Sequence, residues 1–312
     1  MMGLFVRLFA VSFALYGTNS LADCAVSNGA GNLGARSSFA VASTAATTQV
    51  SSGFSCTGGV VTILGDNTVT ATLGTSNNTL NSTNRLYNAA ANRYLPYSVC
   101  KEAACTTLLS PTASVQWYNR SLLGLLGLFV GANGTMPLYI RPATGTHLPR
   151  GTYTDTIPVF WTWRLCVVGV ITCLYDEGSA TSTVTLTLEV LNDCFIDSAP
   201  NVSFGTAALI SAFQPVTQSI QLRCTPEATY RVSFDMGNHA ENGWRRMING
   251  TNALQYNLYI PGTSTVWNMT NNVAGVGAGT VQTVPYLAEI NPAQGNVPAG
   301  AYTDTVRVIV TY

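Results

Sequence analysis

Gly151-Thr152-Tyr153-Thr154-Asp155-Thr156 returns late in the chain as Gly300-Ala301-Tyr302-Thr303-Asp304-Thr305, and in both places the residues that follow alternate as a strand. Working outward, other landmarks recur in the same order. Asp23-Cys24 returns as Asp193-Cys194, and Phe54-Ser55-Cys56-Thr57 as Leu222-Arg223-Cys224-Thr225. A loop ending in Arg85-Leu86-Tyr87-Asn88 returns as Arg246-Met247-Ile248-Asn249, each time before an aromatic strand with Tyr94 and Tyr97 or Tyr256 and Tyr259. The chain is an internal duplication. Its halves meet near Leu191-Asn192 with almost no linker.

Within each half, strand-like runs of roughly five to eight residues lie between Gly, Asn, Pro or Ser clusters, with no convincing amphipathic helix. Such spacing predicts an all-β protein of two immunoglobulin-like β-sandwich domains in tandem, residues 23–191 and 192–312. The copies differ at their ends. By the Thr156/Thr305 match, Tyr312 corresponds to Trp163, beyond which the first half continues into a further strand, Ser182 to Val190. The second half shows no equivalent. Its strand Thr305–Tyr312 is therefore expected beside an empty slot, with backbone groups and one side of the core exposed. A strand from another chain is the natural occupant. Asp23 immediately precedes Cys24, so no loose N-terminal arm is expected on the mature chain. Such a subunit accepts a strand, gives none, and belongs at the end of a head-to-tail polymer.

Residues 1–22 read as a secretory signal: Arg7, an apolar run from Leu8 to Leu15, then Ser20-Leu21-Ala22 as small cleavage subsites before Asp23. The run is too short for a membrane span. The eight cysteines form no CxxC motif. Their spacings and the repeat favour Cys24–Cys56 and Cys194–Cys224 as long bridges and Cys100–Cys105 and Cys166–Cys173 as local ones, although eight cysteines permit about 105 pairings. Composition excludes much else. Charged residues make up 9 %, 14 basic against 14 acidic, so no basic stripe exists for nucleic acid.

The Asp-Cys starts, the long Cys–Cys bridges and the Gly-x-Tyr-x-Asp-Thr segments resemble the spore coat protein U domain family, which includes subunits of archaic, Csu-type chaperone–usher pili. Two such domains, complete first and truncated second, resemble the two-domain tip adhesin of those pili. The resemblance implies a second domain held by a periplasmic pilus chaperone through Val306, Val308, Val310 and Tyr312, then completed by the N-terminal strand of an adjacent subunit. It also implies passage through an outer-membrane usher and display on the cell surface at the fimbrium tip, with attachment and biofilm formation as the outcome.

Comparing the halves singles out three apolar segments of the first that the second lacks or carries only weakly. They are Val60, Val61, Ile63 and Leu64; Leu122, Leu123, Leu125, Leu126, Leu128 and Phe129; and Val167, Val168, Val170 and Ile171 between Cys166 and Cys173. Each by itself fits core packing. Together they suggest exposed loops for hydrophobic abiotic or host surfaces, and the resemblance implies hydrophobic fingers at a tip. Catalysis finds no footing. His147 and His239 sit in loop signatures, no GxSxG or HExxH motif occurs, and Gly275-Val276-Gly277-Ala278-Gly279 is no dinucleotide fingerprint. Asp155 and Asp304 occupy one repeat position, which favours a structural turn role, and no cofactor or metal is expected. The alternatives are a lectin-like carbohydrate-binding module using Trp117, Trp161 and Trp163, or a structural pilus or coat subunit.

Overall fold

The computed structural model describes residues 23–57, 61–62, 65–119, 129, 134–169 and 172–312. Residues 1–22, the expected secretory signal, lie outside them. The first unit holds strands β1 (Asp23–Val26), β2 (Gly29–Ser37), β3 (Thr48–Thr57), β4 (Val61–Thr62), β5 (Asn67–Leu73) and β6 (Asn84–Asn88). It continues with β7 (Arg93–Cys100), β8 (Leu108–Leu109), β9 (Ser114–Asn119), β10 (Thr135–Pro142), β11 (Gly151–Gly169) and β12 (Leu174–Leu191). One run of hydrogen-bonded strands is β1-β3-β10-β7-β6 and the other is β9-β5-β11-β12-β2, linked by the pair Thr154–Tyr87.

The core between them follows from strand alternation. In β5, Val69, Ala71 and Leu73 are fully buried while Thr68, Thr70 and Thr72 face outward. In β12, Val184, Leu186, Leu188 and Val190 alternate inward in the same way. Phe54 stacks on Trp161 with ring centroids 5.0 Å apart, and both are fully buried. The expected strand Ser182–Val190 is the last half of an 18-residue strand. The loop expected to end in Asn88 is strand β6 over its final residues. One short helix, α1 (Ser38–Ser43), escaped the pattern reading because its six residues span less than two turns; the Ser37 side chain accepts from Ala40 N at its start.

The second unit holds β13 (Cys194–Ser198), β14 (Val216–Cys224), β15 (Thr229–Phe234), β16 (Arg245–Asn249), β17 (Asn252–Tyr259), β18 (Val273–Val276), β19 (Gln282–Ile290) and β20 (Val308–Thr311). Its two sheets, β13-β14-β19-β17-β16 and β18-β15-β20, repeat the runs β1-β3-β10-β7-β6 and β9-β5-β11 of the first unit. No strand stands in the positions of β12 and β2. A second buried cluster around Leu222, Val232, Trp267 and Ala288 forms its own core. The chain is thus all-β with two domains.

The shared motif does the same work twice. Tyr153 donates its hydroxyl to Pro149 O at 2.9 Å and Tyr302 to Pro298 O at 2.8 Å. Asp155 accepts from Tyr97, and Asp304 from Tyr256. These aspartates are structural, but they lie past the turn, where they accept tyrosine hydroxyls. A Cβ on Gly151 would meet the Asn88 side-chain amide and one on Gly300 that of Asn249, so either asparagine would have to shift, and at Gly151 the φ of +140° itself favours glycine. Disulfides join Cys24–Cys56, Cys100–Cys105, Cys166–Cys173 and Cys194–Cys224.

Candidate functional site

In the first unit β12 lies between β11 and β2, antiparallel to one and parallel to the other. It pairs Val190 with Gly151, Leu188 with Tyr153, Leu186 with Asp155 and Val184 with Ile157. The second unit has a cleft at this place, about 360 Å³ in volume. One wall is Ala199 to Phe204, the other Tyr302 to Val308, and the floor includes Phe234, Met247, Leu258 and Tyr286. Residues 304–307 make no strand ladder, whereas their counterparts in β11 are paired along their whole length.

Burial records the difference. Tyr153, Ile157 and Val159 are 0 %, 1 % and 0 % exposed. Their counterparts Tyr302, Val306 and Val308 are only half-buried, packed from one side on the second core. Val310 also packs on that core, opposite Val232 of β15, so the three valines face one side. Tyr312 is 57 % exposed, its hydroxyl 3.4 Å from Asp193 Oδ1. The site therefore offers an alternating apolar row and free backbone groups to an extended segment. Completing the burial of these three half-buried valines stabilises such a complex by roughly 2–5 kcal/mol before ordering costs.

The wall 199–206 was missed in the sequence, since its apolar residues Val202 and Phe204 stand among Pro, Asn and Gly without a strand's length. Arg245 was missed too. It is fully buried beneath the cleft, donating to Asp235 O at 2.6 Å and Trp267 O at 2.7 Å. Burial pushes its guanidinium below the usual arginine range, against the pull of nearby Tyr256 and Asp235.

The apolar segments fall mostly elsewhere. Val60, Ile63, Leu64, Leu122, Leu123, Leu125, Leu126, Leu128, Val170 and Ile171 lie outside the described residues. The backbone brings Val61 beside Val168 in a short parallel pairing of β4 with β11. The described flanks converge on one end of the first unit: Asn67 pairs with Asn119, Thr135 with Ser55, and Gly65 packs on the Cys166–Cys173 bridge. Val167, Val168 and the ends of all three segments thus gather at the far end of β11. The Phe129 ring is half-buried with its centroid 5.7 Å from that of Phe54. The tryptophans of the lectin-like alternative form no open platform. Trp161 is 0 % and Trp117 8 % exposed, Trp163 packs on Phe54, and Trp161 Nε1 donates to Ser182 Oγ at 2.9 Å.

A family model, Spore Coat Protein U domain, matches residues 8–160 and 180–309. Among solved structures, the chain is similar to one in the CsuC-CsuE chaperone–tip adhesion subunit pre-assembly complex from archaic chaperone–usher Csu pili of Acinetobacter baumannii. The identity is 25 %, covering 93 % of this chain and 100 % of that one, with a TM-score of 0.67. A fainter likeness, to the CupB6 tip adhesin from Pseudomonas aeruginosa, covers 85 % of each chain at 11 % identity and a TM-score of 0.33, and carries no argument. No curated protein matches the sequence.

Proposed function

Because the chain belongs to the spore coat protein U domain family, we propose that it is a pilus subunit, the tip adhesin of an archaic chaperone–usher fimbria. The observation that carries this reading is the cleft between Ala199–Phe204 and Tyr302–Val308, at the place where β12 completes the first unit. A periplasmic chaperone would fill it first, and the N-terminal strand of the neighbouring subunit would replace that strand after passage through the usher. The similarity to a chaperone–tip subunit complex supports this order of partners. The first domain would then meet nonpolar surfaces through its converging apolar segments and support biofilm attachment. Domains 23–191 and 192–312 are the adhesive and the assembling parts.

The test is co-purification with a periplasmic pilus chaperone. Val306→Arg with Val308→Arg places two charges in the apolar row and should abolish the complex and fibre incorporation. Normal incorporation of that variant, or of a chain lacking residues 306–312, would overturn the reading.

A further inference from the structure

The outer face of β9-β5-β11-β12 in the first domain is an open grid set by strand register. Its central row is Gln116, Thr70, Thr162 and Ser179. The row above is Ser114, Thr72, Phe160 and Thr181, and the row below is Tyr118, Thr68, Arg164 and Glu177. The strands stand about 4.8 Å apart and same-face residues about 6.7 Å apart along each, and across β5-β9 the Thr72 and Ser114 hydroxyls are hydrogen-bonded at 2.7 Å. Phe160 is 45 % and Tyr118 51 % exposed. The charges in the grid, Arg164 and Glu177, neutralise each other through a 2.7 Å ion pair.

Strand propensity alone does not explain this face, because the duplication contains its own control. In the second domain the strand pair corresponding to β5-β11 is β15-β20, where Arg231 stands opposite Thr311 in place of Thr70 opposite Thr162. Ile309 takes the position of Phe160, and Ser233 is buried with its hydroxyl on Met269 Sδ. The corresponding sheet folds with only Thr229 and Thr311 as exposed hydroxyl residues on that face.

We propose that this face is a second contact surface, taking an insoluble neutral polysaccharide. The chemistry selects the partner. An anionic polymer or lipid finds no net positive charge here. A hydrocarbon surface would strip water from the hydroxyls and return no hydrogen bonds. A sugar polymer returns a donor or acceptor for each hydroxyl it dehydrates, and its C–H face can lie on the rings of Phe160 and Tyr118. The grid is also extended and open, which suits a polymer sheet better than a single soluble sugar. It runs up to the Cys166–Cys173 hairpin and so borders the end where the apolar segments converge. The surface argued here is independent of the fibre reading; only the form in which the chain is purified, with a chaperone, rests on it.

The full chain in complex with its chaperone should be depleted from solution by microcrystalline cellulose, and 1 M salt should leave that binding within twofold. Phe160→Ala with Thr162→Lys should lower it at least tenfold. Thr70→Arg, which copies the residue at the matching position of the second domain, should do the same without loss of folding. Leu125→Asp with Leu126→Asp should leave cellulose binding within twofold while reducing retention on polystyrene. No depletion by cellulose overturns the proposal. So does wild-type binding by the Thr70→Arg protein, or loss of cellulose binding in the leucine variant alone.

Discussion

Tyr97 donates its hydroxyl to Asp155 Oδ2 at 2.7 Å, and the duplicate of that bond, Tyr256 to Asp304 at 2.8 Å, lines the open cleft of the second domain. One buried contact is thus covered by β12 in the first domain and left at the edge of a binding site in the second. Both tyrosines are held well above their ordinary value, first by burial and then by the aspartate beside them.

The sign of the pH effect follows. A tyrosine whose folded pKa is raised contributes stability that is fully present below about pH 10 and is lost as pH rises beyond it. Tyr97→Phe should therefore cost roughly 1.5–3 kcal/mol at neutral pH, because Asp155 keeps only Asn78 as a side-chain donor. The same variant should flatten the fall in stability between about pH 10 and pH 12. Denaturant titrations of the first domain at both ends of that range check the two effects together.

Separated domains should behave differently. Residues 23–191, whose closing strand is their own, are expected as a soluble monomer from an oxidising compartment. Residues 192–312 are expected to aggregate or to be recovered only with a chaperone. A stable monomer of the second piece in size-exclusion chromatography would contradict the account of the cleft.

Replacing Leu125, Leu126, Val168 and Val170 with Asp should abolish attachment to polystyrene and leave fibre assembly intact. Detergent should release wild-type fibres and salt should not, since apolar contact is little screened. Normal attachment of the assembled variant would move the contact surface elsewhere.

Arg245→Met should destabilise the second domain by about 3–5 kcal/mol in its chaperone-bound form. The carbonyls of Asp235 and Trp267 lose their donor in a buried site. Differential scanning calorimetry of the complex should show the loss in the second-domain transition, with the first-domain transition unchanged.

The duplication made most of this legible. Gly-x-Tyr-x-Asp-Thr marks the strand that flanks the cleft, and the alternation of Val184 to Val190 marks what fills its counterpart. The cleft's other wall stayed hidden because Val202 and Phe204 follow no strand-length pattern; their fit becomes visible only once Met247 and Tyr286 lie beneath them. Trp117 and Trp161 misled for the opposite reason. Aromatic strands read alike whether their rings stack in a core or lie on a surface, and only the contact with Phe54 decides for Trp161. Arg245 gave no signal, since its partners are backbone carbonyls without any sequence identity.

β12 runs unbroken from the Cys166–Cys173 hairpin to Leu191, beside the second domain. A pull between those two points acts along the strand axis. The load passes through the covalent backbone of β12, already extended between them, so the hydrogen bonds on either side of the strand need not part. The first domain is built to bear tension end to end.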